Sequence, residues 1–200
     1  MSRKSFAPGA MLNPVPVVMV TSGRDRSNVF TVAWTGIVNS DPPMTYISVR
    51  KERFSHHLIE ETGEFVINLV DEKLAFACDY CGVKSGRDID KFEKMNIHRE
   101  KSTKVECASI AESPVSIECR VREKMELGSH DMFLADIVAV TVREDVVDSK
   151  NAIRLDRAGL VAYNHGQYFG LKNAPIGKFG FSVMKPKTRR RLNRQNRTGE

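Results

Sequence analysis

The strongest period-2 pattern in the chain lies over residues 115–125. There Val115, Ile117, Cys119 and Val121 alternate with Ser116, Glu118, Arg120 and Arg122. Such alternation predicts a half-exposed antiparallel strand. A second long strand is predicted over 132–143, after the turn residues Gly128–Asp131. Earlier in the chain, VPVVMVT (15–21) predicts a first strand and Gly23–Asn28 a polar turn. Residues 29–38, β-branched and aromatic, then return as the second strand of a hairpin. Asn39-Ser40-Asp41-Pro42-Pro43 is turn chemistry, because neither proline donates to a sheet ladder. Residues 44–50 resume the alternation, with Thr45, Ile47 and Val49 on one face and Tyr46, Ser48 and Arg50 on the other. EFVINLV (64–70) and the segment 159–170 complete the set of strands.

Helical spacing is confined to short segments. Over 55–62, Leu58 and Ile59 point inward, Glu60 and Glu61 outward, and Gly63 supplies a left-handed stop. Over 72–81, Leu74, Ala75, Cys78 and Cys81 share a face. A third short helix is expected over 88–95, inside the least regular and most charged stretch, 82–104. Loops of that length in compact domains are often binding segments. Five or six long strands with few helices imply a mainly β fold, an antiparallel barrel closed to avoid free edges.

Charge changes this picture only at one end. The net charge is +6, but residues 185–200 hold seven Lys and Arg against one acid, and residues 1–184 are balanced at 24 of each. The expected organisation is one domain over 1–184 followed by a basic, disordered tail over 185–200. A neutral body argues against nucleic acid as the main partner. The alternative is a non-enzymatic binding module that uses the tail. No run of about 18 apolar residues is present, so no membrane span is expected. Pro14 and Pro16 argue against a signal peptide. Four cysteines, at 78, 81, 107 and 119, include one C-x-x-C with no second pair, which weakly supports zinc. They read as small buried residues, with a redox-sensitive thiol as the rival, and free thiols fit a cytoplasmic location.

The candidate chemistry centres on residues 28–56. Arg50, Lys51 and Arg53 end a strand and precede Ser55, read here as a helix N-cap. Guanidinium groups beside free helix N–H groups suit a phosphate. A solvated basic turn is the competing reading. The chain carries no nucleophile elbow, no H-E-x-x-H, no Walker loop and no G-x-G-x-x-G, so hydrolase, NTPase and Rossmann readings lack support.

An ordered series of short motifs then carries a resemblance. It runs Asn28, Thr31 and Ala33-Trp34; Asp41-Pro42-Pro43; Ile47-Ser48-Val49-Arg50, Arg53 and Ser55; and Gly63-Glu64-Phe65-Val66-Ile67-Asn68. Further on come Cys81-Gly82, Ser85-Gly86-Arg87-Asp88, Asp90-Lys91-Phe92 and Gly128-Ser129-His130-Asp131. Over about residues 10–170 the chain resembles the flavin reductase-like, FMN-binding split-barrel family, in its flavoredoxin-type branch.

The resemblance implies a split barrel with a Greek-key core and flanking helices, a homodimer, and FMN in a groove near the subunit interface. It places the FMN phosphate at Arg50, Arg53 and Ser55, with His56 as a possible helper. It lays the flavin ring against Thr31, Val32, Ala33 and Trp34, bordered by Ser48 and Val49. Gly82, Ser85, Gly86 and Lys91 close the far side. His130 faces the flavin or nicotinamide in a positioning or electrostatic role, with a structural turn histidine as the competing reading. Tyr163, His165 and Tyr168 flank the mouth. The implied activity is an oxidoreductase passing electrons from NAD(P)H, or from a redox protein, through FMN to a flavin, a ferric complex or another acceptor. The rival within the family is an electron carrier with no NAD(P)H activity.

Overall fold

The computed structural model describes residues 1–172, 175–177 and 179–185. The basic tail expected over 185–200 lies outside the described residues, apart from Lys185. In chain order the elements are β1 (Val15–Pro16), β2 (Val18–Ser22), β3 (Asn28–Val32), β4 (Thr35–Ser40), β5 (Pro43–Arg50), α1 (Phe54–Thr62) and β6 (Glu64–Leu69). There follow α2 (Ala75–Val83), α3 (Lys91–Met95), β7 (Arg99–Glu100), β8 (Ser109–Ile110), β9 (Val115–Glu126), β10 (His130–Val142), β11 (Val161–Asn164) and β12 (Gln167–Gly170).

Seven strands form one antiparallel sheet in the order β3-β2-β6-β9-β10-β5-β4. Its two edges, β3 and β4, are consecutive in sequence and separated only by Ala33 and Trp34. Three Cα steps span at most about 11 Å, so the sheet must curl until its edges nearly meet. This is a barrel, split at residues 33–34, in which the Ser48 amide donates to the Trp34 carbonyl at 2.8 Å. The segment 29–38 is therefore two strands on opposite edges rather than one. Its β-forming residues suit both strands, and only the crossing at Ala33-Trp34 interrupts them.

Strands β2 and β3 are buried on both faces, which explains the unbroken apolar run of residues 17–20. Val18, Val20, Phe30 and Val32 point into the barrel with Ile47, Phe65, Cys119 and Phe133. Met19 and Val29 point outward, where Leu74, Ala77, Cys78 and Cys81 of the α2 region and Phe92 of α3 cover them. The buried face of α2 thus uses Ala77 in place of the expected Ala75. Helix α1 sends Ile59 into the barrel cluster and stops at Gly63, whose φ is 66°. A small second sheet, β1-β11-β12, joins the start of the described strands to their end.

The alternation over 115–125 forms β9, but its polar face is not solvated throughout. Glu118 is fully buried. Its carboxylate accepts from the amides of Thr103 (2.8 Å), Lys104 (2.6 Å) and Val105 (3.2 Å) and from the Thr103 hydroxyl (2.9 Å). The loop that supplies these donors covers half of the strand.

Candidate functional site

Two adjoining cavities open beside the split. The first, of about 420 Å³, is floored by Thr31, Val32, Ala33 and Trp34, with Ser48 and Val49 from β5 alongside. Arg50, Arg53, Gly82 and His130 also line it. The second, of about 370 Å³, contains Ser55, Ser85, Gly86 and Lys91. Phe30, Arg50, Arg53 and Val83 belong to both. Of the residues expected at a flavin site, all but His56 and His165 line one cavity or the other, and the two arginines belong to both linings.

Local structure explains the placement. Arg50 ends β5 opposite His130, its register partner at the start of β10. The chain turns at once, with the Arg53 amide donating to the Arg50 carbonyl at 3.0 Å, and α1 begins. Arg53 occupies the N-cap position, not Ser55, and makes no side-chain cap. Its guanidinium instead donates to the Gly82 carbonyl at 2.7 Å, tying the arginine turn to the end of α2. Ser55 lies inside the first turn of α1, buried, and its Oγ accepts from Asn28 Nδ2 at 2.8 Å. The amides of Phe54 and Ser55 have no intrahelical acceptor, and both residues line the second cavity.

At position 86 a side chain would displace Asn28. A Cβ there would lie 1.9 Å from Asn28 Oδ1, so the loop meets Asn28 only because no side chain intervenes. At position 82 a Cβ would come within 3.2 Å of the Thr31 Cβ. The Thr31 hydroxyl is already engaged, donating to the Cys78 carbonyl.

Lys91 is the unusual cation of the group. It is 2% exposed and faces no carboxylate within ion-pairing distance among the described residues. Its ammonium donates to the carbonyls of Cys81 and Lys84, both at 3.0 Å, at the C-terminal end of α2. Two of its three protons are thereby used. Burial lowers its pKa from the ordinary lysine range to about 8. Four cations, Arg50, Arg53, Lys84 and Lys91, thus border the second cavity against one acid, the exposed Glu52, which pairs with Arg50 at 3.5 Å. That donor set, with two free amides, fits a dianionic phosphate.

Other expectations change. His56 lines neither cavity; it is buried, with Nε2 2.8 Å from Asp131 Oδ2 and Nδ1 3.2 Å from Glu60. Lys51 and Lys124 already pair with those two carboxylates, so the cluster is a structural ion network. Trp34 is 40% exposed on the cavity and is not a core residue. His130 is half-buried with Nδ1 2.9 Å from the Ser129 hydroxyl. Tyr163 and Tyr168 line the first cavity, whereas His165 sits in the exposed turn between β11 and β12. Cys78 and Cys81 are buried and free, and burial pushes their thiols up to about 12 and about 11, away from reactive thiolate.

Sequence reasoning left out Asn28, Val17, Phe30, Val83 and Asp79 as lining residues. Asp79 had a signal: with Gly82 and Val83 it forms an i, i+3, i+4 set on one helix face.

Known proteins are similar to this chain in sequence or in fold. A protein of Archaeoglobus fulgidus, itself uncharacterized, is 32% identical over 139 residues, covering 70% of this chain and 78% of its own. Flavoredoxin of Desulfovibrio vulgaris (Miyazaki F) superposes with a TM-score of 0.83 at 24% identity, covering 90% of this chain and all of its own. An FMN-binding protein from Thermus thermophilus superposes with a TM-score of 0.74 at 21% identity, covering 89% of this chain and 98% of its own. The model of the flavin reductase like domain matches residues 10–172. With a family model spanning that much of the chain, and the same fold in both superposed structures, the chain belongs to the flavin reductase-like family.

Proposed function

We propose that the protein is an FMN-binding oxidoreductase. It takes electrons from NAD(P)H, or from a redox protein, and delivers them to a free flavin, a ferric complex or another acceptor. The observation that carries this reading is the buried, carboxylate-free Lys91 facing the same cavity as Arg50, Arg53 and the first amides of α1. That group recognises a phosphate, and the flat bed of residues 31–34 begins one cavity further on. FMN bound there would supply the hydride- and electron-accepting ring. The chain's own residues grip the phosphate, hold the ring against small Ala33, and set His130 at the edge of the cavity.

A flavoredoxin-type electron carrier without NAD(P)H activity is the second reading, favoured by the superposition on a flavoredoxin and by the lack of a Rossmann fingerprint. We also infer a homodimer in the cytoplasm. The exposed Ile37 and Val38 on edge strand β4, and the free thiols, support this. Sedimentation at micromolar concentration reads the assembly.

The test is an absorbance spectrum of the full chain after addition of excess FMN and desalting. Flavin bands are expected near the protein peak, and anaerobic bleaching by NADH or NADPH separates the two readings. Arg53→Ala, alone and with Arg50→Ala, is expected to weaken FMN binding about tenfold or more per lost charge-assisted contact, with far-UV dichroism unchanged. An unchanged dissociation constant refutes the phosphate clamp.

A further inference from the structure

The first cavity has an end that the flavin reading leaves unused. Asp79, on the exposed face of α2, lines it together with Tyr163 and Tyr168. The Tyr168 hydroxyl donates to Asp79 Oδ1 at 3.1 Å. The two tyrosine rings meet edge to face, with centroids 5.5 Å apart. Among the described residues, no lysine, arginine or histidine pairs with Asp79. A carboxylate with one neutral donor, set beside two aromatic rings at a cavity wall, has the makings of a cation site. Aromatic faces attract cations through their quadrupole, and a carboxylate adds direct charge attraction.

The positive groups of the site do not cancel this. Arg50 and Arg53 stand at the border with the second cavity and would face a bound phosphate, whereas Asp79, Tyr163 and Tyr168 border the first cavity alone. The two linings thus differ in charge: Asp79 is the acid of the first, whereas Lys84 and Lys91 belong to the second alone and Arg50 and Arg53 to both.

We propose that the outer end of the first cavity recognises a flat organic cation, with Asp79 selecting the charge and Tyr163 and Tyr168 providing the aromatic wall. The inference rests on the flavin reading only for its setting, since the cation would lie in the cavity that the ring occupies. The recognition itself depends only on residues of β11, β12 and α2. Tyr168 acts through Asp79 as well as by contact, because its hydroxyl holds the carboxylate in place.

Calorimetric titration of the full chain with two isosteres tests it: the 1-methylnicotinamide cation and neutral 3-methylbenzamide, which differ in one ring atom and one charge. The cation is expected to bind roughly threefold to tenfold tighter. Asp79→Asn, an exposed helix position where folding is not at stake, is expected to bring the two affinities together. Tyr168→Phe is expected to keep part of the preference. Equal affinities in the unaltered chain overturn the proposal, as does a preference that survives Asp79→Asn. Each titration is run with and without FMN. A preference that persists where FMN fails to bind supports the cation site and refutes the flavin reading. FMN binding with no charge preference does the reverse.

Discussion

Lys91 is where a single residue says most about the site. Its charge is buried without a carboxylate, so burial holds its folded pKa at about 8. The unfolded chain keeps lysine near about 10.4. The sign follows: between these values the unfolded state holds more protons, so the ligand-free protein gains stability as pH rises through that window. A bound phosphate reverses the preference, because it favours the ammonium. FMN affinity is therefore expected to hold at neutral pH and to fall by up to about tenfold per pH unit above pH 8. Lys91→Met is expected to bind FMN weakly with a flat profile over the same range, as read by flavin fluorescence titration. The sequence placed Lys91 at the site only through a family motif. Nothing in D-K-F announces that the side chain is buried, because its burial depends on the α2 carbonyls that receive it. Arg50 and Arg53, by contrast, were legible directly, since a strand end and a helix start lie three residues apart.

At the scale of elements, alternation read the strands well and their surroundings poorly. Strand β9 has the expected length and period, yet the polar Glu118 is sealed under the 102–107 loop. A carboxylate is buried when enough donors converge on it, and three successive amides of a distant segment are invisible to local periodicity. Glu118→Ala leaves those amides without acceptors. The expected cost is about 3 kcal/mol, read as a lower urea midpoint with an unchanged slope. The segment 29–38 carries the same lesson. Its composition favours a strand throughout, and only the sheet order shows that it leaves one edge at Val32 and joins the other at Thr35. The cap of α1 was misplaced by two residues because Ser55 looked like a capping hydroxyl, while Asn28, 27 residues earlier, claims it.

Of the three apolar clusters among the described residues, the two larger ones share β2 and β3. The inner one fills the barrel, and the outer one fastens α2 and α3 to its surface. They differ in what they hold. Phe133→Ala opens the barrel, and Phe92→Ala loosens the helix that carries Lys91; both are fully or nearly fully buried. Each is expected to lower stability by about 3–5 kcal/mol. FMN affinity at low denaturant is expected to fall far more for Phe92→Ala than for Phe133→Ala. Equal losses in the two variants contradict the division. The mainly β class and the barrel were legible because alternating segments outnumber helical ones. The split was legible only through the family resemblance, because it is a property of which strands meet.

The sheet order also sets a timetable for synthesis. Strands β4 and β5 reach the rest of the sheet only through β10, so no sheet joins Ser48 and Val49 to Thr31 and Val32 until β10 has left the ribosome. The phosphate-side residues, from Asn28 to Lys91, emerge long before that. The tyrosine wall emerges last, with residues 161–170. The residues of the phosphate grip and of the bed thus leave the ribosome before the strand that joins the two sides of the barrel, and the tyrosine wall follows both.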